Sequence, residues 1–365
     1  MAYSILVINT GSTSTKLAVY RDKEKAVQKE YSHSKEDLKK YHSIADQLPM
    51  RLNVAEKFVE SEAAPYRPFD AVVARGGFLC PIKPGGYEVN EDMVYYSVHI
   101  SKEEHASNLS ACIANEFKKR YGIPAYIYDG LTSDELPPIA RITGIPDLPK
   151  VSISHMLNMR ATAKKAAADI RKDYSDCTFV ILHMGGGVSL SLHHKGHVIE
   201  TLADDDGPFS TERAGGQQAV RLIEYIEKLP SLRDKIKVIR GNGGLVAYFG
   251  TSDAREVEKM IAAGNEKALL VYQAMAYQIT KSVAALASVN RGKLDGIIFT
   301  GGLAYSKMMG EFIKERAGYI APVYIYPGEN EMESLALGAY RILTGEETAR
   351  IFEYQQKSGC ECCVF

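Results

Sequence analysis

The amino-acid sequence predicts an α/β fold built from two similar domains, each with a mixed sheet. The chain has 365 residues, and a single domain typically contains only about 100–200. Near the start of each half, a short apolar run leads into a glycine turn and then into a second strand. Segments with helical spacing separate these strands along the chain. Together, the three observations favour a duplicated domain.

The first glycine turn lies in VINTGSTSTK, residues 7–16, where a buried strand ends at Asn9 and Gly11. A Walker phosphate loop requires a second glycine directly before its lysine, but Thr15 precedes Lys16 here. Alternating apolar residues then resume, as in a second strand. The pattern therefore predicts a β-hairpin whose glycine lets the backbone approach a ligand closely.

The second turn repeats this plan. In FVILHMGGGVSLSLHH, residues 179–194, His183 takes the place of Asn9 and Gly185 takes the place of Gly11. The backbone N–H groups of two such turns can hold a polyphosphate from two sides. We therefore predict that the two hairpins form a phosphate clamp.

A third glycine pair occurs in DGIIFTGGLAYS, residues 295–306, where Gly301 and Gly302 follow a short apolar strand and precede a helix. Adjacent glycines at this position either form a tight turn or let the chain pass flat against a planar group. Both interpretations are open from this motif alone.

The remaining secondary structure is predicted mainly as helices, which alternate with the strands. Ser154 is the expected N-cap of the helix over residues 156–174. Gly338 is expected to permit close packing of the last helix, over residues 332–344. The expected helical segments are 24–62, 104–121, 156–174, 256–289 with an interruption at 264–265, and 332–344.

Composition narrows the functional class. The net charge of −1 gives no global electrostatic case for binding nucleic acid or an anionic membrane. The chain contains no uninterrupted apolar run near the eighteen or so residues of a membrane span. No secretory signal is visible, because the first apolar run is short and no basic segment precedes it. A cytoplasmic enzyme is the expectation.

Two smaller features admit more than one interpretation. His193, His194 and His197 straddle a predicted hairpin tip and are expected to be solvated rather than to bind zinc. The final residues CCVF formally fit a prenylation box, but a flexible, thiol-bearing tail over residues 351–365 is the simpler interpretation.

The order of the three glycine sites is that of the superfamily of sugar kinases, heat-shock ATPases and actin. Within it, the chain resembles the acetate kinase family over residues 3 to about 350, and most closely the members that act on butyrate. The matching motifs are VINTGSTSTK, VVARGGF at 72–78, ISKEEHASNL at 100–109, VSISHMLNMRATA at 151–163, ILHMGGGVSLSLHHKGHVIET at 181–201, DDDGPFSTERAGG at 204–216, GGLVAYFGTSDAREVEKMI at 243–261, VYQAMAYQITK at 271–281 and PGENEMESLALGAYRIL at 327–343. The resemblance implies two ribonuclease H-like (actin-like ATPase) domains with a cleft between them, and reversible phosphate transfer from ATP to a short carboxylic acid.

The chemistry of such a transfer sets its own requirements. A carboxylate is already ionised at neutral pH, so no general base is needed. Two anions must meet, however, so arginines, Mg²⁺ and neutral donors have to neutralise charge on the transferring group. A neutral imidazole can donate one hydrogen bond without adding charge. Mg²⁺ keeps several waters, so few protein ligands are expected.

The resemblance implies specific site residues that meet these requirements. The expected catalytic residues are Arg213, Arg75, His183, His105, Asp129 and Asn9. The expected phosphate- and nucleotide-binding residues are Ser12, Ser14, Lys16, Gly185, Gly186, Gly187, Gly301 and Gly302. The expected magnesium ligands are Asn9 and Glu331, with Glu333 as the alternative to Glu331.

Two assignments carry alternatives. Arg213 matches the arginine that holds the transferring phosphoryl group, but a surface ion pair with Glu212 or with one of residues 204–206 would also explain it. Arg75 stands where the family has a histidine, so its expected contact with the carboxylate substrate departs from the family pattern. His155 either contributes to the site or only fixes the start of its helix.

The predicted domain organisation follows from the same comparison. Residues 1–150, together with a C-terminal helix at about 332–350, are expected to bind the acyl substrate and phosphate. Residues 151–331 are expected to bind the nucleotide. A homo-oligomer is expected, and Tyr272 and Tyr277 on the long helix are candidates for its interface.

Alternatives to butyrate as the substrate remain open. Propionate is one carbon atom shorter, acetate is two carbon atoms shorter and isobutyrate is a branched isomer, and one methylene discriminates by only about 1–3 kcal/mol. An ATPase switch of the actin or chaperone class would share the three nucleotide motifs. Such a switch would have no use for Arg75, His105, Asp129 and Arg213.

Overall fold

The computed structural model of the protein describes residues 2–354, so the CCVF motif lies outside the described part of the chain. Its strands are β1 (Ser4–Thr10), β2 (Ser14–Arg21), β3 (Glu24–Ser32), β4 (Ala71–Arg75), β5 (Gly86–Glu88), β6 (Ala125–Tyr128), β7 (Thr178–Met184), β8 (Val188–His194), β9 (His197–Leu202), β10 (Gly296–Gly301), β11 (Val323–Pro327) and β12 (Arg350–Ile351). Its α-helices are α1 (Lys35–Leu38), α2 (Leu48–Glu60), α3 (Glu91–Tyr95), α4 (Asn108–Tyr121), α5 (Pro138–Arg141), α6 (Met156–Asp169), α7 (Ala219–Glu227), α8 (Leu232–Ile239), α9 (Gly244–Phe249), α10 (Ala254–Ala262), α11 (Glu266–Val289), α12 (Lys307–Ala317) and α13 (Glu331–Leu343). Within residues 2–354, none of these helices combines the length and apolarity that crossing a bilayer requires.

The chain divides into two compact units. The first unit is Met1–Asp134 together with Asn330–Phe365, and the second is Glu135–Glu329. The second unit begins earlier than the boundary at residue 150 expected from the sequence. The reason is that Glu135 accepts a hydrogen bond from Arg160, and Lys150 forms an ion pair with Glu200. These contacts attach the intervening segment to the second unit.

The first unit contains a seven-stranded mixed sheet in the order β12-β5-β6-β4-β1-β2-β3. Strands β1, β2 and β3 form an antiparallel meander, while β4 runs parallel to β1 and β6 runs parallel to β4. The carboxyl ends of β1, β4 and β6 therefore lie at the same edge of the sheet.

The second unit contains a five-stranded mixed sheet in the order β11-β10-β7-β8-β9. Here β7, β8 and β9 form the antiparallel meander, and β10 and β11 add to it in parallel. The order β9-β8-β7-β10-β11 thus repeats the order β3-β2-β1-β4-β6 of the first unit. The predicted α/β class, with two mixed sheets and a duplicated topology, is confirmed.

Helices cover both faces of the central strands. Along β7, Val180 and Leu182 point into a core shared with α11, whereas Phe179 and Ile181 point into a core shared with Met159 on α6. Alternate residues of one strand thus enter two different apolar layers. This explains why the strand is a continuous apolar run rather than an alternating one.

Several local predictions differ from the structure. The segment expected to be helical from residue 24 begins instead with β3, an edge strand paired with β2. Ser154 does not cap α6, because His155 occupies the N-cap position and no side-chain cap bond forms there. Of residues 351–354, expected to start a flexible tail, Phe352 is buried in the core of the first unit, whereas Ile351 and Glu353 are exposed.

The expected close packing at Gly338 is confirmed. A Cβ atom at this position of α13 would lie 2.4 Å from Cγ of Tyr128. The interruption of the long helical region is also confirmed, since α10 ends before Gly264 and α11 begins after Asn265. Asn265 caps α11 by accepting a hydrogen bond from the backbone of Ala268.

Candidate active site

The first predicted hairpin is present in the first unit. Strands β1 and β2 pair in antiparallel register with Asn9 opposite Lys16, and the N–H of Gly11 donates to the carbonyl of Ser14 at 2.8 Å. Ser12 is exposed, whereas Ser14 and Lys16 are half-buried. The turn therefore offers hydroxyl groups and an ammonium group at the end of β1.

Arg51, a residue that the sequence did not single out, anchors this turn. Its guanidinium is fully buried and donates to the carbonyls of Gly11 at 3.0 Å, Ser14 at 2.9 Å and Ser12 at 3.3 Å. Burial lowers the pKa of Arg51 to about 10, so the group stays charged at neutral pH. Because three carbonyls of the turn accept hydrogen bonds from Arg51, this buried cation fixes the position of the turn.

A polar cluster forms at the carboxyl ends of β1 and β4. Glu331, the first residue of α13, accepts hydrogen bonds from Asn9 Nδ2 at 2.7 Å and from Arg75 Nη1 at 3.2 Å, both on its Oε2 atom. Asn9 and Glu331 are buried, and the Arg75 side chain is largely so. Asn9 Oδ1 is buried without a hydrogen-bond partner. This acceptor is available to a cation or another donor.

The other two expected catalytic residues of the first unit, Asp129 and His105, lie after β6 and before α4. Asp129 follows β6 in the left-handed conformation, with φ of 42°, and its Oδ1 accepts from the N–H of Gly85 at 2.8 Å. His105 precedes α4, and its Nδ1 accepts from the backbone N–H of Ser107 at 3.2 Å. A neutral His105 therefore carries its proton on Nε2.

Glu333, the alternative metal ligand, does not join this cluster. It is exposed, two residues beyond the buried Glu331 on α13, and a two-residue step turns a helical side chain about 200° around the axis. Burial, with a smaller contribution from Glu333, raises the pKa of Tyr20 to about 12. The charge of Glu333 thus acts on Tyr20.

The second predicted hairpin is present in the second unit, where β7 and β8 flank Gly185, Gly186 and Gly187. The carbonyl of Gly186 accepts from Ser210 Oγ at 2.6 Å and from the backbone of Glu212 at 3.0 Å. These contacts bring the 210–213 segment against the glycine turn.

His183 is the second-last residue of β7 and lies close to this turn. It is buried, its Nδ1 lies 2.9 Å from Asn158 Nδ2, and its Nε2 lies 3.5 Å from Glu329 Oε1. The ring of His155 stacks on it with centroids 3.9 Å apart and planes 7° apart. His155, whose role was open, is therefore in direct contact with an expected catalytic residue.

Arg213 is held by acidic neighbours. Its Nε donates to Asp204 Oδ2 at 2.8 Å, and its Nη1 lies 3.5 Å from Glu212 Oε2. The ion pairs named as the alternative explanation are thus present. The short contact uses Nε alone, so it leaves donors of the guanidinium fork for an anion.

The third glycine site borders a cavity in the second unit. A Cβ atom at Gly301 would lie 2.5 Å from the carbonyl oxygen of Met184, whereas one at Gly302 would meet open space. The cavity measures about 560 Å³, a volume typical of small-molecule sites. Its lining includes Gly185, Gly186, Thr211, Glu258, Gly302 and Ser306. One cavity thus touches both the phosphate turn and the adjacent glycines.

Of the histidines near the β8–β9 turn, His193 contradicts the expectation of solvation, whereas His197 agrees with it. His193 is fully buried and bonded to the hydroxyl of Tyr174 at 2.8 Å, so it is not solvated. His194 is half-buried and bonded to Thr178, while His197 is exposed. Within residues 2–354, no group of three or more His, Cys, Asp or Glu side chains is placed to hold a metal ion.

Known proteins resemble this chain over nearly its whole length. The model of the acetokinase family matches residues 154–315. Butyrate kinase 2 of Clostridium acetobutylicum is 41% identical over 356 residues, which cover 97% of this chain and 100% of the relative. The chain belongs to the acetokinase family. A second relative, the probable butyrate kinase 2 of Caldanaerobacter subterraneus subsp. tengcongensis, is 42% identical over 96% of the chain and 99% of the relative.

Solved structures share the fold of this chain. The acetate kinase of Porphyromonas gingivalis superposes with a TM-score of 0.74 at 19% identity, covering 93% of this chain and 100% of that chain. A propionate kinase of Francisella tularensis superposes with a TM-score of 0.74 at 17% identity, covering 92% and 98%. At this identity the likeness establishes the fold alone, which is the predicted actin-like ATPase fold.

Proposed function

We propose that this protein transfers the γ-phosphoryl group of ATP to butyrate, reversibly, and releases ADP and butyryl phosphate. The observation that carries the proposal is the identity of 41% and 42% to proteins named as butyrate kinases, over nearly the full length of each. Acetate and propionate are less well supported, because the acetate and propionate kinases match at 19% and 17% only.

The geometry of the second unit supports nucleotide binding. The cavity of about 560 Å³ reaches from the phosphate turn at Gly185 and Gly186 to Gly302 and Ser306. We assign the triphosphate to the glycine turn, whose backbone can approach it, and the adenosine to the end near Gly302. Arg213 and His183 adjoin this turn and supply one charged and one neutral donor for the transferring group.

The geometry of the first unit supports binding of a carboxylate and of phosphate. Arg75 offers a guanidinium at the carboxyl end of β4, where a carboxylate can be bound by two parallel N–H bonds. His105 adds a neutral Nε2–H donor, and Lys16 adds a second positive charge. No residue is assigned as a general base, because butyrate is ionised at neutral pH.

The same unit fits a magnesium ion. Asn9 Oδ1 is a buried oxygen acceptor without a partner, and Glu331 is an adjacent buried carboxylate. Oxygen ligands of this kind suit Mg²⁺, which takes one or two carboxylates and keeps its remaining waters. When bound with ATP, the ion would neutralise charge on the phosphates.

The decisive experiment supplies ATP, Mg²⁺ and a series of acids from two to five carbons, and traps acyl phosphate as its hydroxamate. We expect the highest kcat/KM with butyrate. A higher value with acetate, propionate or isobutyrate would reassign the substrate. ATP hydrolysis without hydroxamate would instead indicate the actin- or chaperone-like switch.

We also propose that the protein acts in the cytoplasm, where ATP is available, and as a homo-oligomer. Tyr272 is fully buried in the core of the second unit and cannot contribute to an interface, whereas Tyr277 is 56% exposed. Helix α7 presents Val220 and Ile223 at 69% and 61% exposure, which supports an interface on this helix. Light scattering that returns the monomer mass at all concentrations would reject the oligomer.

A further inference from the structure

A chain of hydrogen bonds ends on His183 and begins at a backbone carbonyl. The hydroxyl of Thr300 donates to the carbonyl oxygen of Gly328 at 3.2 Å. A hydroxyl has one proton, so Thr300 Oγ1 can act only as an acceptor toward its other neighbour. That neighbour is Asn158, whose Nδ2 lies 3.0 Å away.

This arrangement fixes the orientation of the Asn158 amide. The oxygen and nitrogen of an amide side chain are assigned from their hydrogen-bond partners. Because Thr300 Oγ1 requires a donor, the NH₂ group must face it. The second N–H of the same group then points at His183 Nδ1, at 2.9 Å.

The amide orientation in turn fixes the tautomer of His183. An amide NH₂ cannot accept, so Nδ1 of His183 must be the acceptor, and a neutral ring carries its proton on Nε2. Nε2 faces the phosphate turn, since a Cβ atom at Gly185 would lie 3.5 Å from it. The stacked ring of His155, itself bonded to Ser189 at 2.9 Å, restricts rotation of the imidazole.

We propose that Asn158 is a positioning residue, which acts with Thr300 to hold His183 as an Nε2–H donor aimed at the transferring phosphoryl group. The inference rests on the proposed function for the identity of that group. Through Nε2–H, the neutral ring of His183 supplies a hydrogen bond at a fixed position.

The tautomer can be observed directly by NMR of the full chain labelled with ¹³C and ¹⁵N in histidine. The His183 signals are assigned by their loss in His183→Gln. We expect the Nε2–H form in the wild type and in Thr300→Ser, which keeps the hydroxyl. Asn158→Asp presents acceptors in place of the NH₂ group, so we expect His183 to be protonated on Nδ1. An Nδ1–H tautomer in the wild type would overturn the proposal.

Kinetics provide the second readout. Asn158→Asp should lower kcat by about 10²-fold, the size of effect seen when one oriented donor to a developing charge is lost. KM for ATP should change much less. Asn265→Asp, which keeps an N-cap acceptor at the start of α11, is the matched control and should alter neither kcat nor the His183 spectrum. An unchanged kcat in Asn158→Asp, with Nδ1 protonated, would also overturn the proposal.

Thr300→Val is a second variant that keeps the proposal testable if Asn158→Asp does not fold. It replaces the hydroxyl by a methyl group of similar volume. We expect it to populate both tautomers of His183, and a pure Nε2–H signal would contradict the role of Thr300. Failure of the wild type to form hydroxamate from any short acid would overturn the proposed function instead. The NMR result does not depend on turnover, so the two failures are distinguishable.

Discussion

Arg51 shows how a charge can serve a binding turn without touching a ligand. Its donors occupy carbonyls of the turn between β1 and β2, and Gln47 Oε1 accepts from its Nε at 3.1 Å. Burying a cation is costly unless its donors are satisfied. The 11–15 turn and this arginine therefore depend on each other.

Replacing Arg51 by lysine tests this dependence. Lysine keeps a charge but loses the planar fork, so several carbonyls of the turn are left without donors. Each buried group left unsatisfied costs about 1–3 kcal/mol. We expect urea unfolding to show a loss of at least that size, and the KM for ATP to rise. Arg233→Lys, at an exposed position, is the control and should change neither quantity.

Arg213 is the residue at which structural and catalytic roles must be separated by experiment. We expect Arg213→Ala to lower kcat by on the order of 10²-fold or more, as for other losses of charge stabilisation in a transition state. Nucleotide affinity should remain close to that of the wild type. The measurement is steady-state kinetics together with calorimetric titration of ADP.

Arg240 provides the matched control for that variant. It forms a comparable ion pair with Asp205 at 2.7 Å, and its backbone pairs with that of Arg213 in an isolated antiparallel β-bridge. It is not an expected site residue. If Arg213 served only as an ion-pair partner, Arg240→Ala and Arg213→Ala would have similar effects. Equal kcat values in the two variants would thus remove Arg213 from its proposed role.

The expected site residues could be named individually from the sequence, but the residues to which they are hydrogen-bonded could not. Asn9 and Glu331 are hydrogen-bonded although 322 positions separate them in the chain. Asn158 is separated from Thr300 by 142 positions. No local spacing encodes such contacts, because they arise when non-adjacent strands and helices meet. Arg51 and Asn158 were missed for the same reason.

At the scale of elements, the glycine-turn hairpins were predictable because their signal is local. Each consists of an apolar run, a polar residue and a glycine at fixed spacing, and this pattern demands a tight reversal between buried strands. Strand β3 lacked such a signal. Its residues are charged and mostly exposed, as is common for edge strands that avoid pairing with other chains. Without alternation, the segment resembled a polar helix.

The glycines of the second hairpin differ in the space that a Cβ atom would find. This difference allows a test of whether phosphate approaches the backbone of the turn. A Cβ atom at Gly185 would meet nothing closer than 3.5 Å, whereas one at Gly187 would lie 2.5 Å from Asp204 Oδ2. We expect Gly185→Ala to fold normally but to bind ADP more weakly, because its methyl group occupies space needed by phosphate. Calorimetric titration measures the affinity.

Gly187→Ala is the companion variant and should lose thermal stability through the clash with Asp204. The contrast between the two positions separates ligand approach from folding. Wild-type affinity for ADP in a folded Gly185→Ala variant would argue against phosphate binding at this turn.

At the scale of the whole molecule, the described residues build separate apolar clusters in the two units rather than one shared core. The core of the first unit joins side chains from β1, β2, α2 and α4, whereas the core of the second gathers around β7, β8 and α11. Helix α13 belongs to the first unit although it follows the second along the chain. It packs on β1, β4 and β6 and carries Glu331 at its start.

Each core therefore supports the residues of its own unit, and a cavity made in one core should weaken that unit first. Leu335 on α13 and Leu286 on α11 are both buried, at 0% and 2% exposure. Truncation of such a leucine to alanine costs about 2–5 kcal/mol. We expect Leu335→Ala to speed amide hydrogen exchange in β1, β4 and β6, and Leu286→Ala to speed it in β7 and β8. In Leu335→Ala, ADP should still protect residues 183–187 while acyl transfer falls, because the helix that places Glu331 beside Asn9 and Arg75 is loosened. Uniform acceleration of exchange over residues 2–354 in both variants would mean that the two cores unfold as one.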